Sequence, residues 1–513
     1  MNRHFDVVFI GRSLGCLSAA ALLARRDFRV LVLGHGEPPP SYRFEGRRIS
    51  RRVFSLVFGH TPVWRRVLQD LAQSQTFRRR ASPVLPSFSL LTRKNRLQVT
   101  GDRVELAAEV RREFPEVQPL ADELWSSVLH CNRALEAVLA REAAFPPEGW
   151  WGRLLARRWL PDLTGQNESL SQWLDKLPAG HAYRDAAFLG ASFAGDWALP
   201  PAEQPLLSVA RLQDHFARHL LAFEGGEDAF EDFLVQRIQA HGGSCELNER
   251  AEGFVFRRGR VAGVVLGGAE QTLGADVVVS SLPGNTLVEL SEGRGLSPAY
   301  AQWPELRPTL GRFVVSCSLR RQGLPEPLAR EALVLAGPDV RGAERPALHL
   351  QHLPDDAGAP DLSRLVVEAL VPFGQVRRGT ELRAVVLQCL REQFPFLDRH
   401  LLVTDSPHDG LPLTIHELGR ERSVDRVHLS GASPRPEPLQ ALWRADPAGF
   451  LGLAGEPIVG PVRGTYLVGK TVLPGLGQEG ELLAAWNVAQ RITHTDRAWQ
   501  KRRRQMWTKI DTE

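Results

Sequence analysis

The first 33 residues alternate between apolar runs and a stretch of small residues. FDVVFI (5–10) and FRVLVL (28–33) are almost continuously apolar, and LSAAALLARR (17–26) between them is rich in alanine and leucine. Unbroken apolar runs are typical of parallel strands buried on both faces, and such strands need a helical crossover between them. The pattern therefore predicts a βαβ unit at the start of an α/β sheet.

A long helical region and a strand region follow. Residues 61–214 are mostly helical by pattern, which predicts an inserted cap, and 223–243 predict one more amphipathic helix that ends at a Gly-Gly pair. Residues 250–268 predict a hairpin and 274–283 a buried strand. Residues 311–321, 347–354 and 362–373 predict three strands of an antiparallel sheet with one open face, and 380–394 a helix. Residues 464–492 read as strand, glycine-rich loop and helix, and a basic tail follows from 496 to 513.

Length and composition fit a folded chain with more than one domain. The chain has 513 residues, of which 43% are hydrophobic and 24% charged, and single cores usually stop growing at ~250–300 residues. Its five cysteines are scattered without a C-x-x-C pair, which gives no indication of a metal site or redox dithiol and favours a reducing, cytoplasmic setting. No leader-like or membrane-spanning apolar run is visible. The net charge of +4 does not indicate nucleic-acid binding.

One segment has the make-up of a helix at a membrane surface. Residues 150–159 interleave three tryptophans with three arginines, and further basic runs occur at 47–52, 78–80 and 501–504. This composition suits peripheral contact with the inner face of a membrane. The alternative is a cap helix whose tryptophans are buried, with the arginines on a solvated surface.

Three segments carry a family resemblance. They are DVVFIGRSLGCLSAAALLA (6–24), residues 224–266 and GTYLVGKTVLPGLGQEGELLAAWNVAQRI (464–492). Their order resembles the phytoene desaturase and flavin amine oxidase family of FAD-dependent oxidoreductases, in particular its carotenoid desaturase and isomerase branch. The resemblance implies a Rossmann-like FAD-binding domain of the GR2 type, assembled from residues 1–60, 215–290 and 455–495. It also implies a substrate domain formed by the helical cap at 61–214 and a mixed or antiparallel sheet at 291–454.

The resemblance implies which residues would contact FAD. In the turn after the first strand they are Gly11, Ser13, Leu14, Gly15 and Cys16, and Gly34 ends the second strand. In the rest of the chain they are Ala251, Gly469, Lys470, Gly475, Leu476, Gly477 and Gly480. Gly475 and Gly477 would let the flavin ring approach a helix start, whose dipole stabilises a reduced, anionic flavin.

Four of these positions depart from the family pattern. Ser13 and Cys16 stand where G-x-G-x-x-G has its second and third glycines, Gly34 where an acid holds the ribose, and Lys470 where an acid is usual. Lys470 could instead pair with a phosphate. Lost hydrogen bonds at ~1–1.5 kcal/mol each add up to roughly 3–5 kcal/mol of FAD affinity. The affinity for FAD is therefore predicted to be reduced.

Other chemistry has weaker support. Residues 11–15 match G-x-S-x-G, but a hydrolase elbow needs strands and an oxyanion loop before it. His349 and His352 lie three apart on a predicted strand and so point to opposite faces, which is poor geometry for a shared metal. Glu479 and Glu481 suit a helix start. No general acid or base is assigned, and no metal is expected.

Two functions remain open. One is FAD-dependent hydride transfer at flavin N5 on a hydrophobic, isoprenoid or lipid-like substrate, where the protein mainly positions its ligands. The other is a non-catalytic protein of the same fold that has lost tight FAD binding and binds a lipid or a protein partner, as Rab escort and GDP-dissociation-inhibitor proteins do on a related scaffold.

Overall fold

The computed structural model describes most of the chain. The described ranges are 3–141, 145–147, 149–165, 168–200, 203–267, 271–337, 344–355, 359–374, 379–417, 420–446 and 449–510, with the backbone alone at 149–151, 153, 379 and 497–510.

Strands are numbered along the chain. They are β1 (His4–Ile10), β2 (Val30–Leu33), β3 (Ser41–Phe44), β4 (Arg47–Ser50), β5 (Ala81–Pro83), β6 (Phe88–Leu91), β7 (Arg96–Val99), β8 (Leu221–Phe223), β9 (Ser244–Glu246), β10 (Ala251–Arg257), β11 (Arg260–Leu266), β12 (Thr272–Ser280), β13 (Glu305–Arg320), β14 (Glu331–Val334), β15 (Leu348–Pro354), β16 (Leu362–Pro372), β17 (Leu401–Asp405), β18 (Leu413–Glu417), β19 (Arg420–Val424), β20 (Gln440–Asp446) and β21 (Thr465–Leu467).

Helices are numbered in the same way. They are α1 (Leu14–Arg25), α2 (Pro62–Asp70), α3 (Ser74–Arg80), α4 (Arg103–Glu113), α5 (Gln118–Ala140), α6 (Gly149–Ala156), α7 (Leu170–Leu174), α8 (Ala182–Ala186), α9 (Leu189–Ala194), α10 (Leu206–Arg218), α11 (Gly226–Ala240), α12 (Gly284–Leu290), α13 (Gly379–Gln393), α14 (Leu397–His400) and α15 (Gly477–Ile510).

The first sheet joins the beginning, middle and end of the chain. Its strand order is β10-β11-β12-β1-β2-β9, with β21 beside β12. Strands β9, β2, β1, β12 and β21 pair in parallel, and the β10–β11 hairpin adds an antiparallel edge. Helix α1 contacts both α11 and α15, and β1 is buried over most of its length. The predicted α/β fold of the dinucleotide-binding type is confirmed.

The second sheet runs in the order β19-β18-β17-β13-β16-β15-β14-β6-β7, with β20 beside β13. Its pairs are antiparallel apart from β14 with β6. The predicted strands at 311–321, 347–354 and 362–373 are β13, β15 and β16, and the predicted helix is α13. The pattern missed β5, β6 and β7 inside the otherwise helical region 61–214.

The expectation of one open sheet face is wrong. Strands β13 and β16 are buried at nearly every residue of their central parts. Side chains of α13 such as Leu382, Val386 and Leu390 share a core with Phe313 and Val315 of β13. Cap residues such as Phe216 and Leu212 share another core with Leu310 and Leu370. Both faces of the sheet are therefore covered.

The predicted tail beyond residue 496 is also corrected in part. Helix α15 continues through Ile510, so the chain there is helical and not an irregular tail. The side chains of the basic run 501–504 lie outside the described residues.

Candidate functional site

A cavity of about 410 Å³ lies between the two sheets. Its lining includes Arg12 and Ser13 of the β1–α1 turn and also Phe193, His349 and Trp443. Of the thirteen predicted FAD contacts, Ser13, Leu14 and Lys470 line this cavity. The volume falls within the ~300–1,000 Å³ range of small-molecule sites.

The β1–α1 turn is shaped like a phosphate-binding turn, but its own side chains cap the helix. Ser13 is the N-cap of α1, and its Oγ accepts from the Cys16 N–H at 3.3 Å. Gly11 has a φ of +108°, a conformation that favours glycine. The Cys16 thiol contacts the Ile10 carbonyl oxygen at 3.5 Å, and burial raises its pKa. Ser13 and Cys16 are thus accommodated without opening the turn.

The carboxylate of Glu481 reaches this turn from α15. Its Oε2 accepts from the Gly15 N–H at 3.2 Å, and the side chain is buried. Burial raises the pKa of Glu481, while the charge of Lys470 and hydrogen bonds from Ser13 and Gly15 act in the opposite direction. The first N–H groups of a helix attract anions. Glu481 therefore occupies the position at α1 that a bound phosphate would use.

A second carboxylate closes the turn from the end of β2. His35 and Gly36 both have positive φ, 51° and 77°, so the chain reverses and the Glu37 N–H donates to the Gly34 carbonyl oxygen at 3.0 Å. This reversal brings Glu37 Oε2 to the Arg12 N–H at 2.9 Å. The sequence pattern did not identify Glu37. Gly36, a glycine at one of the two positive-φ positions, is the sequence signal that could have indicated the reversal.

Gly34 cannot stand in for the missing ribose-binding acid. A Cβ added there would lie 1.8 Å from the Leu247 carbonyl oxygen. The chain beyond β9 crosses so close to Gly34 that only glycine fits. Gly34 is therefore tightly packed against Leu247, and its contact with a cofactor stays a prediction.

Two ion pairs lie in the cavity wall, a buried one at Arg12 and a partly exposed one at Arg52. Arg12 forms a two-point pair with Glu231 of α11, and Arg52 pairs with Glu227 at 2.6 Å. Burial raises the pKa of Glu227. Seven carboxylates line the whole cavity, namely Glu37, Asp196, Glu227, Glu231, Glu368, Glu437 and Glu481, against five cationic side chains, namely Arg12, Arg51, Arg52, Arg312 and Lys470.

The glycine-rich loop before α15 packs against the protein itself. A Cβ on Gly475 would lie 2.8 Å from Leu453 Cα, and one on Gly477 would lie 2.1 Å from the Ala194 carbonyl oxygen. Ser208 Oγ donates to the Gly475 carbonyl oxygen at 2.6 Å. The Cβ sides of these glycines therefore face cap and loop backbone, and their contact with a flavin ring stays a prediction.

The remaining predicted contacts are packing positions. A Cβ on Gly469 would lie 2.0 Å from the Ser281 carbonyl oxygen, and one on Gly480 would lie 2.3 Å from that of Leu473. A Cβ on Gly15 would lie 2.0 Å from the Val468 carbonyl oxygen. Leu476 and Ala251 are buried in the core of the first sheet.

The basic group predicted to face a phosphate has a protein partner. Lys470 Nζ lies 3.8 Å from Asp196 Oδ1, and Asp196 also lies 3.7 Å from Arg312. Arg312 forms a buried pair with Glu368 of β16 as well. Lys470 therefore belongs to an ion-pair group within the cavity wall.

Comparison with known proteins gives the fold. An oxidoreductase from Methanosarcina mazei is similar over 94% of this chain and 99% of its own, with 17% identity and a TM-score of 0.55. Cyclohexylamine oxidase from Brevibacterium oxydans and a putrescine oxidase bound to putrescine each match over 96% of this chain and 99% of their own, at 14% identity, with TM-scores of 0.56 and 0.55. The fold is that of FAD-dependent oxidoreductases. No protein-family model and no curated protein matches the chain.

These similarities support the FAD oxidoreductase fold in general and do not single out the carotenoid branch. Whether FAD can bind depends on the contacts of the β1–α1 turn. The N–H groups of Arg12, Gly15 and Cys16 already donate to Glu37, Glu481 and Ser13. A dianionic pyrophosphate would have to displace two carboxylates and enter a wall with an excess of acids. The carboxylates of Glu37 and Glu481 therefore disfavour the pyrophosphate of FAD at this turn.

The remaining predictions have separate outcomes. Ser13 contacts Cys16 and Glu481 and no histidine, so a hydrolase triad is absent from the described residues. His349 bonds to Glu331 and His352 to Ser363, so the two rings have different surroundings. The described residues contain no cluster suited to a metal ion and no helix that could cross a membrane.

The aromatic and basic segment is only partly described. Trp159 is buried and packs near Phe145 and Phe450, as the cap alternative predicts. The side chains of Trp150, Trp151 and Arg153 lie outside the described residues. Membrane contact through this segment stays a prediction.

Proposed function

We propose that this protein uses the FAD-oxidoreductase fold to bind an apolar small molecule in the cleft between its sheets, without FAD as a resident cofactor. The observation that carries the proposal is the hydrogen bond from Gly15 N–H to Glu481 at the start of α1. In this position a carboxylate of the chain replaces the ligand phosphate.

The arrangement around Glu481 supports the proposal in two further ways. Glu37 accepts from the turn at Arg12, so a second acid faces the same site. The Arg12–Glu231 pair is buried between α1 and α11. Removing one partner of a buried pair leaves an uncompensated charge at a cost of ~3–5 kcal/mol. Rearranging this buried ion pair to admit a dinucleotide is therefore costly.

Apolar side chains in the cavity wall support an apolar ligand. They are Phe54, Val57, Phe193, Phe216, Val314 and Trp443. Cofactor and ligand sites are typically apolar pockets with a few placed polar groups.

A second candidate is an FAD-dependent oxidoreductase that acts on a hydrophobic substrate. The observation that favours it is that one cavity is lined both by Ser13 of the turn and by apolar side chains such as Phe193 and Phe216. FAD would have to displace Glu481 before any hydride transfer at N5 could occur.

The two candidates differ in a direct measurement. The purified protein is expected to show no flavin absorbance and no saturable quenching of FAD fluorescence up to about 1 mM FAD, the limit of weak binding. Flavin that co-purifies in stoichiometric amount, or saturable binding well below that concentration, would overturn the first candidate and support the second.

A further inference from the structure

The cleft-facing side of the second sheet carries a histidine held by a buried acid. His349 of β15 and Glu331 of β14 lie on neighbouring antiparallel strands, and His349 Nε2 lies 2.9 Å from Glu331 Oε2. Glu331 has no exposed surface and His349 has 5%. The ring lies among Phe193 and Phe216, with centroid separations of 5.4 Å to each. His349 lines the cavity.

The bonds of Glu331 fix which nitrogen of His349 carries the proton. Ser55 Oγ–H and Gln351 Nε2–H donate to Glu331 Oε1 at 2.5 and 2.9 Å, which leaves Oε2 for the histidine. A carboxylate is an acceptor, so the imidazole donates its Nε2–H to Glu331. In the neutral tautomer that carries its proton on Nε2, Nδ1 is an acceptor. In the part of the chain that the structure describes, Nδ1 has no hydrogen-bond partner.

We infer that His349 is a ligand-binding residue whose Nδ1 accepts a hydrogen bond from the hydroxyl group of an apolar molecule in the cavity beside Phe193 and Phe216. The inference rests on the proposed use of the cleft for an apolar ligand and names the polar group of that ligand. A neutral hydroxyl suits the site because the nearest acid of the neighbouring strand, Glu368, already pairs with Arg312.

Three naphthalene probes of nearly equal shape test the inference. The full-length protein is titrated with naphthalene, 2-naphthol and 2-acetylnaphthalene, and probe fluorescence reports binding. One hydrogen bond is worth ~1 kcal/mol, so we expect 2-naphthol to bind about five- to tenfold tighter than naphthalene. The carbonyl of 2-acetylnaphthalene offers no donor to Nδ1, and this probe should show no such gain.

Two variants and one control isolate the histidine. His349→Phe should bind naphthalene and 2-naphthol equally. His352→Phe is the matched control, since His352 lies on the same strand and bonds to Ser363 away from this cavity. It should keep the preference for 2-naphthol.

Glu331→Gln tests the hydrogen-bonding role of His349, because a residue that only supported the fold would not change which probe the protein prefers. Because Ser55 and Gln351 donate to the Oε1 position, the new amide oxygen should stay there and place its NH₂ group toward His349 Nε2. The histidine would then carry its proton on Nδ1 and become a donor. We expect the preference to switch from 2-naphthol to 2-acetylnaphthalene.

The outcomes separate this inference from the proposed function. An unchanged 2-naphthol preference in folded His349→Phe, or no switch in folded Glu331→Gln, would overturn the role of His349 while the absence of FAD binding still stands. Tighter binding of 2-naphthylmethylammonium than of 2-naphthol would overturn the choice of a neutral hydroxyl. Saturable FAD binding by the wild type would instead overturn the proposed function.

Discussion

Replacing Glu481 by glutamine should strengthen FAD binding, because it removes the charge of one of the two carboxylates that face the phosphate site. The substitution keeps the size of the side chain at the start of α1 and removes its charge. In the wild type that charge lies 3.2 Å from the Gly15 nitrogen. A phosphate charge brought to ~4 Å from the carboxylate would be repelled by about 4 kcal/mol at an effective dielectric constant of ~20.

This repulsion converts to a large change in affinity. About 4 kcal/mol corresponds to ~10³-fold, so a wild-type Kd above about 1 mM would fall toward about 1 µM in the variant. Quenching of FAD fluorescence measures the change directly. Riboflavin is the matched ligand control, because it has the flavin ring but no phosphate, and its affinity should not change.

The pKa of Glu481 provides an independent check. Since burial raises the pKa in the folded protein, the acid is more easily protonated when folded. The stability that protonated Glu481 contributes is therefore present at low pH and is lost as the pH rises through the pKa of the folded state. Wild-type FAD affinity should therefore improve as the pH falls through that pKa, whereas Glu481→Gln should show no such change. The reasoning is refuted if the glutamine variant folds normally and binds FAD no better than the wild type.

Three further predictions concern packing and charge. Gly34→Glu should destabilise the protein by ~1–3 kcal/mol or more in chemical denaturation, because its Cβ would meet the Leu247 carbonyl oxygen at 1.8 Å; an unchanged midpoint would contradict the crossing of the chain there. Arg12→Met should lower the free energy of unfolding by ~3–5 kcal/mol, because Glu231 would be buried without its partner. The double variant Arg12→Met with Glu231→Leu should recover most of that loss, and equal losses in the single and the double variant would contradict the pairing. Burial lowers the pKa of His219 to about 4. The unfolded state therefore binds the proton more readily, and stability should fall as the pH drops from ~6.5 through about 4. In thermal unfolding, His219→Gln should reduce part of this fall, and an unaltered pH profile would show that other groups cause it.

Local pattern was sufficient for most of the fold. Apolar runs marked β1, β2, β13, β15 and β16, and the small-residue and amphipathic stretches marked α1, α11 and α13. These elements are recognisable because burial imposes a period on the sequence. The short strands β5, β6 and β7 had no such signal, since each has only three or four residues; β5 and β6 pair with distant strands, and β7 pairs with its neighbour β6.

The candidate site could be predicted only in part. The sequence located the turn and showed that Ser13, Cys16, Gly34 and Lys470 depart from the dinucleotide pattern. It left open whether FAD could still bind there. FAD binding depends on which side chains lie at the start of α1. The side chain that contacts Gly15 there is that of Glu481, which is 466 positions away in the chain.

The sequence by itself determined the type of fold, because each buried strand and helix carries its own apolar period. Only the tertiary structure decided the chemistry of the cleft. Glu37, Glu231 and Glu481 come from three distant segments and meet at one helix start, and Glu331 meets His349 across two strands. Hydrogen bonds and ion pairs act over a few ångströms and produce no periodic sequence pattern. Contacts of this kind can therefore be identified only in the folded structure.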